Sequence, residues 1–130
     1  MALTHSTAAR DAATNAVTAL LTAGSNLVFR VGGTLAAPGA AAATLALAST
    51  AFGASSSGTA TAGAITSDTN AAGNASAVSA FSLETSAAVI VIYGAVAATG
   101  SDINMSNGLT IAAGDTVSCS SLTYYAVSAV

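Results

Sequence analysis

The chain has 130 residues, the length of one domain that can bury its own core. Charged residues make up 5 % of it, hydrophobic residues 53 %, and the formal net charge is −3. Arg10 and Arg30 are the only Lys or Arg residues, too few to neutralise a run of phosphates or an anionic membrane surface, which argues against nucleic acid and membrane as partners.

The first segment, "THSTAARDAATNAVTALLTAG", predicts a helix, with Thr4 or Ser6 as N-cap and Gly24 as the stop. Ala9, Ala12, Ala13, Ala16, Val17, Leu20 and Leu21 fall at helical spacing, a stripe of methyl groups whose anchors are Leu20 and Leu21. Two readings follow. Residues 1–24 pack on their own domain, or they form an arm laid on a neighbouring subunit.

Residues 25–130 read as a β domain. "NLVFRVGG" alternates, with Leu27, Phe29 and Val31 on one face and Val28 and Arg30 on the other. Pro38-Gly39 marks a turn, and a strand carrying Leu45 and Leu47 follows it. The stretch "AFGASSSGTATAGAITSDTNAAGNASA" predicts short strands and turns, because Thr59, Thr61 and Ile65 place β-branched residues between glycines. "SAFSLET" puts Phe81 and Leu83 together, and "AAVIVIYGAVA" is the expected strand covered on both faces. Ile103 and Met105 lie between Ser-Asp and Asn-Gly turn signals. Ala113-Gly114-Asp115 then predicts a turn into a strand from Thr116 to Tyr125. Val117 and Cys119 face inward there until a reversal brings in Leu122 and Tyr124. Together these elements predict a mainly β fold, a single antiparallel sandwich or barrel-like domain with one N-terminal α-helix.

Chemistry-bearing residues are scarce. His5 is the only histidine, close to one end, and no Gly-x-Ser-x-Gly elbow is present. Asp11, Asp68, Glu84, Asp102 and Asp115 are scattered singly, and Asp68, Asp102 and Asp115 stand beside turn residues, where a carboxylate commonly accepts backbone N–H groups. Asp68 and Asn70 offer hard oxygens for calcium but lack the ligand pattern and Glu of an EF-hand loop. Gly32-Gly33 precedes neither Lys nor a helix start and is no phosphate cradle. Tyr93, Tyr124 and Tyr125 suit packing or an interface better than a sugar platform. Cys119, the single cysteine, reads as a small apolar packing residue. No catalytic, cofactor-binding or metal-binding residue is assigned, and neither an enzyme nor a small-molecule substrate is expected. "MALTHSTAAR" lacks the features of a secretory leader, and the longest apolar run, Ala87 to Ala98, is short of the ~20 residues of a membrane span.

What remains is an exterior of Ser, Thr, Asn, Gly and Ala, which a neighbour can cover at low desolvation cost. "MALTHSTAARDAATNAVTALL", "TAFGASSSGTATAGAITSDTNAAGNA" and "IAAGDTVSCSSLTYY" together resemble a family of small virion structural proteins of tailed bacteriophages. The resemblance is strongest at the two ends and at "AFG…SGTATA…ITSDT", and weakest between Arg30 and Ala48. It implies a virion component made in the bacterial host cytoplasm. Within that class the compact β domain points to a capsid cement or decoration protein, whose partners are the major capsid protein and other copies of itself. A receptor- or carbohydrate-contacting domain of a head fibre or tail tip stays open, as does a tail-tube or connector component.

Overall fold

Ser6 starts the first element. Its backbone is extended, and its hydroxyl accepts the Ala9 N–H at 3.2 Å, satisfying one of the donors that a helix start leaves unpaired. Helix α1 runs Thr7–Thr18 and ends well before Gly24. The computed structural model describes residues 3–127. Eight strands follow the helix: β1 (Asn26–Gly33), β2 (Pro38–Leu47), β3 (Ala60–Thr61), β4 (Ile65–Thr66), β5 (Ala80–Glu84), β6 (Ile90–Ala97), β7 (Ile103–Asn104) and β8 (Thr123–Tyr124). The protein is mainly β with one N-terminal helix.

Six strands form one sheet in the order β4-β2-β1-β5-β6-β7, while β3 pairs with β8 alone. The pairings are antiparallel except β6 with β7, which departs from the all-antiparallel expectation. A parallel return usually needs a dozen or more residues. Here residues 98–102 suffice, because Gly100 takes φ 68 and the Asp102 carboxylate accepts the Ala95 N–H at 2.9 Å.

The expected Pro38-Gly39 turn falls one step earlier. Thr34 N–H bonds the Ala37 carbonyl at 3.0 Å, and Pro38 already stands opposite Gly33 as the first residue of β2. Proline has no N–H to give a ladder, and the first strand position does not require one. Gly39 is needed for space instead, since a Cβ there would lie 2.0 Å from the Val31 carbonyl oxygen.

One face of the sheet carries Leu27, Phe29, Leu45, Leu47, Phe81 and Leu83 into the core. The long connections form the opposing layer, contributing Phe52, Ala71, Val78, Ile111, Val117 and Leu122. These contain only two-residue strands and isolated bridges, such as Phe52 with Ala62 and Asp68 with Val117. The short-strand reading of residues 51–77 holds. The long closing strand does not form, because only Thr123–Tyr124 is regular. Its alternation survives as burial: Val117 and Leu122 are buried, Cys119 and Tyr124 partly so, with a bend between the two registers.

The strand buried on both faces is β5, all five of whose residues are buried, and not the run at 87–98. Position explains the exchange. β5 lies between β1 and β6, whereas β6 is flanked on its outer side only by two-residue β7 and has Val96 alone buried.

The helix buries a different face from the one its alanines suggest. Thr14 and Thr18 are buried in α1 and Leu21 beyond it, a spacing of four and three that makes one continuous contact line. Leu20 is exposed. α1 thus docks on its own domain along a hydroxyl-bearing face; of the expected stripe Leu21 enters the core, Ala13 and Val17 are half-buried, and Ala9, Ala12 and Ala16 stay exposed.

Candidate functional site

Each of the seven charged side chains, two arginines and five acids, has a hydrogen-bond partner inside the chain. Three groups of contacts account for them.

The first lies on the sheet face opposite the core. Arg30 on β1 donates from Nε to Ser82 Oγ at 2.9 Å, from Nη1 to the Gly39 carbonyl at 2.7 Å, and from Nη2 to Glu84 Oε2. The Ser82 hydroxyl donates to the same Glu84 oxygen. Tyr93 on β6 reaches over β5 so that its hydroxyl donates to the Gly32 carbonyl at 2.5 Å. These side chains tie β2, β1, β5 and β6 together, and no buried side-chain N or O among the described residues lacks a partner. The arrangement meets the condition under which a buried ionic group is tolerated.

The second group holds α1. Asp11 Oδ1 accepts the Ser55 hydroxyl and the Gly58 N–H, both at 2.7 Å, and these bonds, the Ser55 one foremost, hold its carboxyl below the ordinary 3.8. Asn15 Oδ1 accepts the Ser55 N–H at 2.8 Å, and Arg10 donates to the Ser57 carbonyl. Thr14 joins three segments, donating to the Gly58 carbonyl at 2.7 Å and accepting the Ala126 N–H at 3.0 Å.

The third group bears out the turn reading of the remaining acids. Asp68 uses both oxygens, accepting Asn70 N–H through Oδ1 and Thr44 N–H through Oδ2. Asp102 accepts the Ala95 N–H and Asp115 the Ala112 N–H. The Asp68–Asn70 pair considered for calcium is thus an Asx turn that pins β2 to the following loop. Among the described residues no three of His, Cys, Asp and Glu come close enough to hold a metal ion.

One concavity stands out, a cleft of about 600 Å³ between β7 with its following loop and the segment 115–121. Phe29, Ile103, Met105, Ile111, Val117 and Cys119 supply its apolar lining, while Asn104, Asn107, Thr116, Ser118 and Ser120 supply polar groups. Asp102 and Asp115 also line it, each engaged through Oδ2 alone among the described residues.

The other residues singled out in the sequence do not converge there. His5 is exposed. Tyr93 belongs to the outer sheet face, Tyr124 pairs with Ala60 in the small sheet, and Tyr125 is exposed, so the three make no common platform. Burial pushes the Tyr124 hydroxyl above its ordinary value. Cys119 packs against the core as expected, its thiol raised by burial.

Sequence reasoning missed the Arg30 network and the role of Thr14. A signal for the first was present: Arg30 and Glu84 each interrupt an otherwise uncharged strand, and two opposite lone charges in neighbouring strands can pair. Thr14 gave no such signal, because a threonine inside a helix more often faces solvent.

No helix of the described residues is long and apolar enough to cross a membrane. No protein-family model, curated protein or solved structure matches the chain.

Proposed function

We propose that the protein is a structural component of a tailed-bacteriophage virion, a capsid cement or decoration protein that binds the assembled major-capsid lattice and stabilises the head. The observation that carries the reading is the internal engagement of all seven charged side chains. What the molecule offers a neighbour is therefore mostly hydroxyls, amides, methyl groups and a few exposed apolar side chains, among them Leu20, Leu35 and Val89, with carboxylates such as Asp102 and Asp115 already holding one donor of their own chain. Covering such a surface needs no stripping of free ions, whose desolvation would offset the gain.

The same engagement favours a structural role over a catalytic one. A general acid or base must reach a substrate proton, and here each carboxylate already accepts N–H or O–H donors of its own chain. Binding of each copy need be only moderate, because contacts repeated over a closed shell reinforce one another.

The test is position and copy number in purified particles by electron cryomicroscopy. Hundreds of copies following the hexamer lattice are expected. A handful at a tail or fibre tip would replace this reading with the receptor-contacting one, and absence from finished particles would overturn the virion assignment altogether.

A further inference from the structure

The cleft beside β7 also lies between the edge of that strand and the extended segment around the Val117 bridge. β7 ends the six-stranded sheet. Met105 N–H bonds the Ala97 carbonyl, so Ile103 and Met105 face β6 and the intervening Asn104 turns its backbone N–H and C=O away from it. Across the cleft, Val117 exchanges both of its backbone bonds with Asp68. Its neighbours Thr116 and Ser118 have no backbone partner among the described residues, and both are exposed. Unpaired edges over an apolar floor are what strand addition uses.

We infer that this cleft receives the segment Leu3–His5 of a second copy of the chain as an added strand. Three observations select that occupant. Leu3 is 86 % exposed, more than any other large hydrophobic residue of the described chain. Residues 3–5 form no regular structure, and no hydrogen bond engages them among the described residues. Charge matches as well: the cleft carries Asp102 and Asp115, whose Oδ1 atoms accept nothing among the described residues, while Arg10 and Arg30 are engaged within their own chain. His5 is the one basic side chain left to meet them, and an imidazole N–H can donate to a carboxylate in either protonation state. In an extended strand Leu3 and His5 share a face, which sets Leu3 over the floor of Ile103, Met105 and Val117 and His5 toward the acids. The exchange concerns copies of this chain and does not depend on the virion reading.

A mixed-chain disulfide trap tests it. Ser120 is exposed and lines the cleft, and its hydroxyl makes no hydrogen bond among the described residues. One chain carries Leu3→Cys with Cys119→Ser, the other Ser120→Cys with Cys119→Ser, so each holds a single thiol. Oxidation of the mixture should give the 3–120 heterodimer about tenfold faster than either homodimer, through the raised effective concentration of paired segments. Removing residues 1–5, which leaves the Ser6 cap in place, should convert the associated protein to a folded monomer in sedimentation, whose melting temperature no longer rises with protein concentration. Statistical cross-linking of the mixture, or a full-length chain that sediments as a monomer at all concentrations, overturns the inference.

Discussion

Arg30 and Glu84 form an ion pair across β1 and β5, and Ser82, two residues before Glu84, is hydrogen-bonded to both. The two side chains are only 13 % and 9 % exposed. Losing one partner would strand the other charge in a site that water barely reaches. Arg30→Met should therefore cost about 3–5 kcal/mol in urea denaturation. Arg30→Met combined with Glu84→Leu and Ser82→Ala should regain most of that loss, because the apolar replacement leaves no charge to desolvate.

Thr14 is the joint between the helix and the rest of the chain. Thr14→Val keeps the shape and removes both the donor to Gly58 and the acceptor for Ala126, for an expected loss of about 1–3 kcal/mol. The loss should be local. Amide exchange should quicken across α1 and at Gly58 and Ala126 while the amides of β1 and β5 keep their protection. Deleting residues 1–24 removes Leu21 from the core as well, and should lower the melting temperature of the β domain.

Acid should loosen the same joint before it melts the sheet. Because Ser55 and Gly58 hold the folded Asp11 carboxyl below 3.8, its contribution is fully present above the unfolded value and fades as pH falls through the lower folded one. Helix amides should lose protection as the pH drops below about 4, and Asp11→Asn should flatten that dependence. The readout is amide exchange in α1 against pH, with the amides of β5 as the internal reference.

The sequence made the fold class legible because β1, β2 and β5 carry their apolar residues at the strand period, and Leu27, Leu45 and Leu83 are all fully covered. It misled wherever coverage depends on what lies next door. The richest apolar run became β6, flanked by a minimal strand, while "AFSLE" was covered on both faces because β1 and β6 bracket it. The helix face was misread for a related reason: Thr14 and Thr18 are buried by bonding carbonyl groups, and a pattern of apolar spacing cannot register that. The cleft was invisible, since segments 102–110 and 115–121 meet only through the parallel return at Gly100 and the bridge between Asp68 and Val117.

The way the acids are held also sets how the protein answers to brine. Among the described residues only Glu84 forms an ion pair, and that pair is shielded from solvent, while Arg10 adds a minor pull on Asp11. Asp11, Asp68, Asp102 and Asp115 lean instead on N–H and O–H dipoles at 2.7–3.0 Å. Dissolved ions weaken attraction between exposed charges separated by about 8 Å or more, and contacts this close escape them. The melting temperature should hardly differ between dilute buffer and concentrated sodium chloride, because no exposed long-range ion pair among the described residues is there to be weakened.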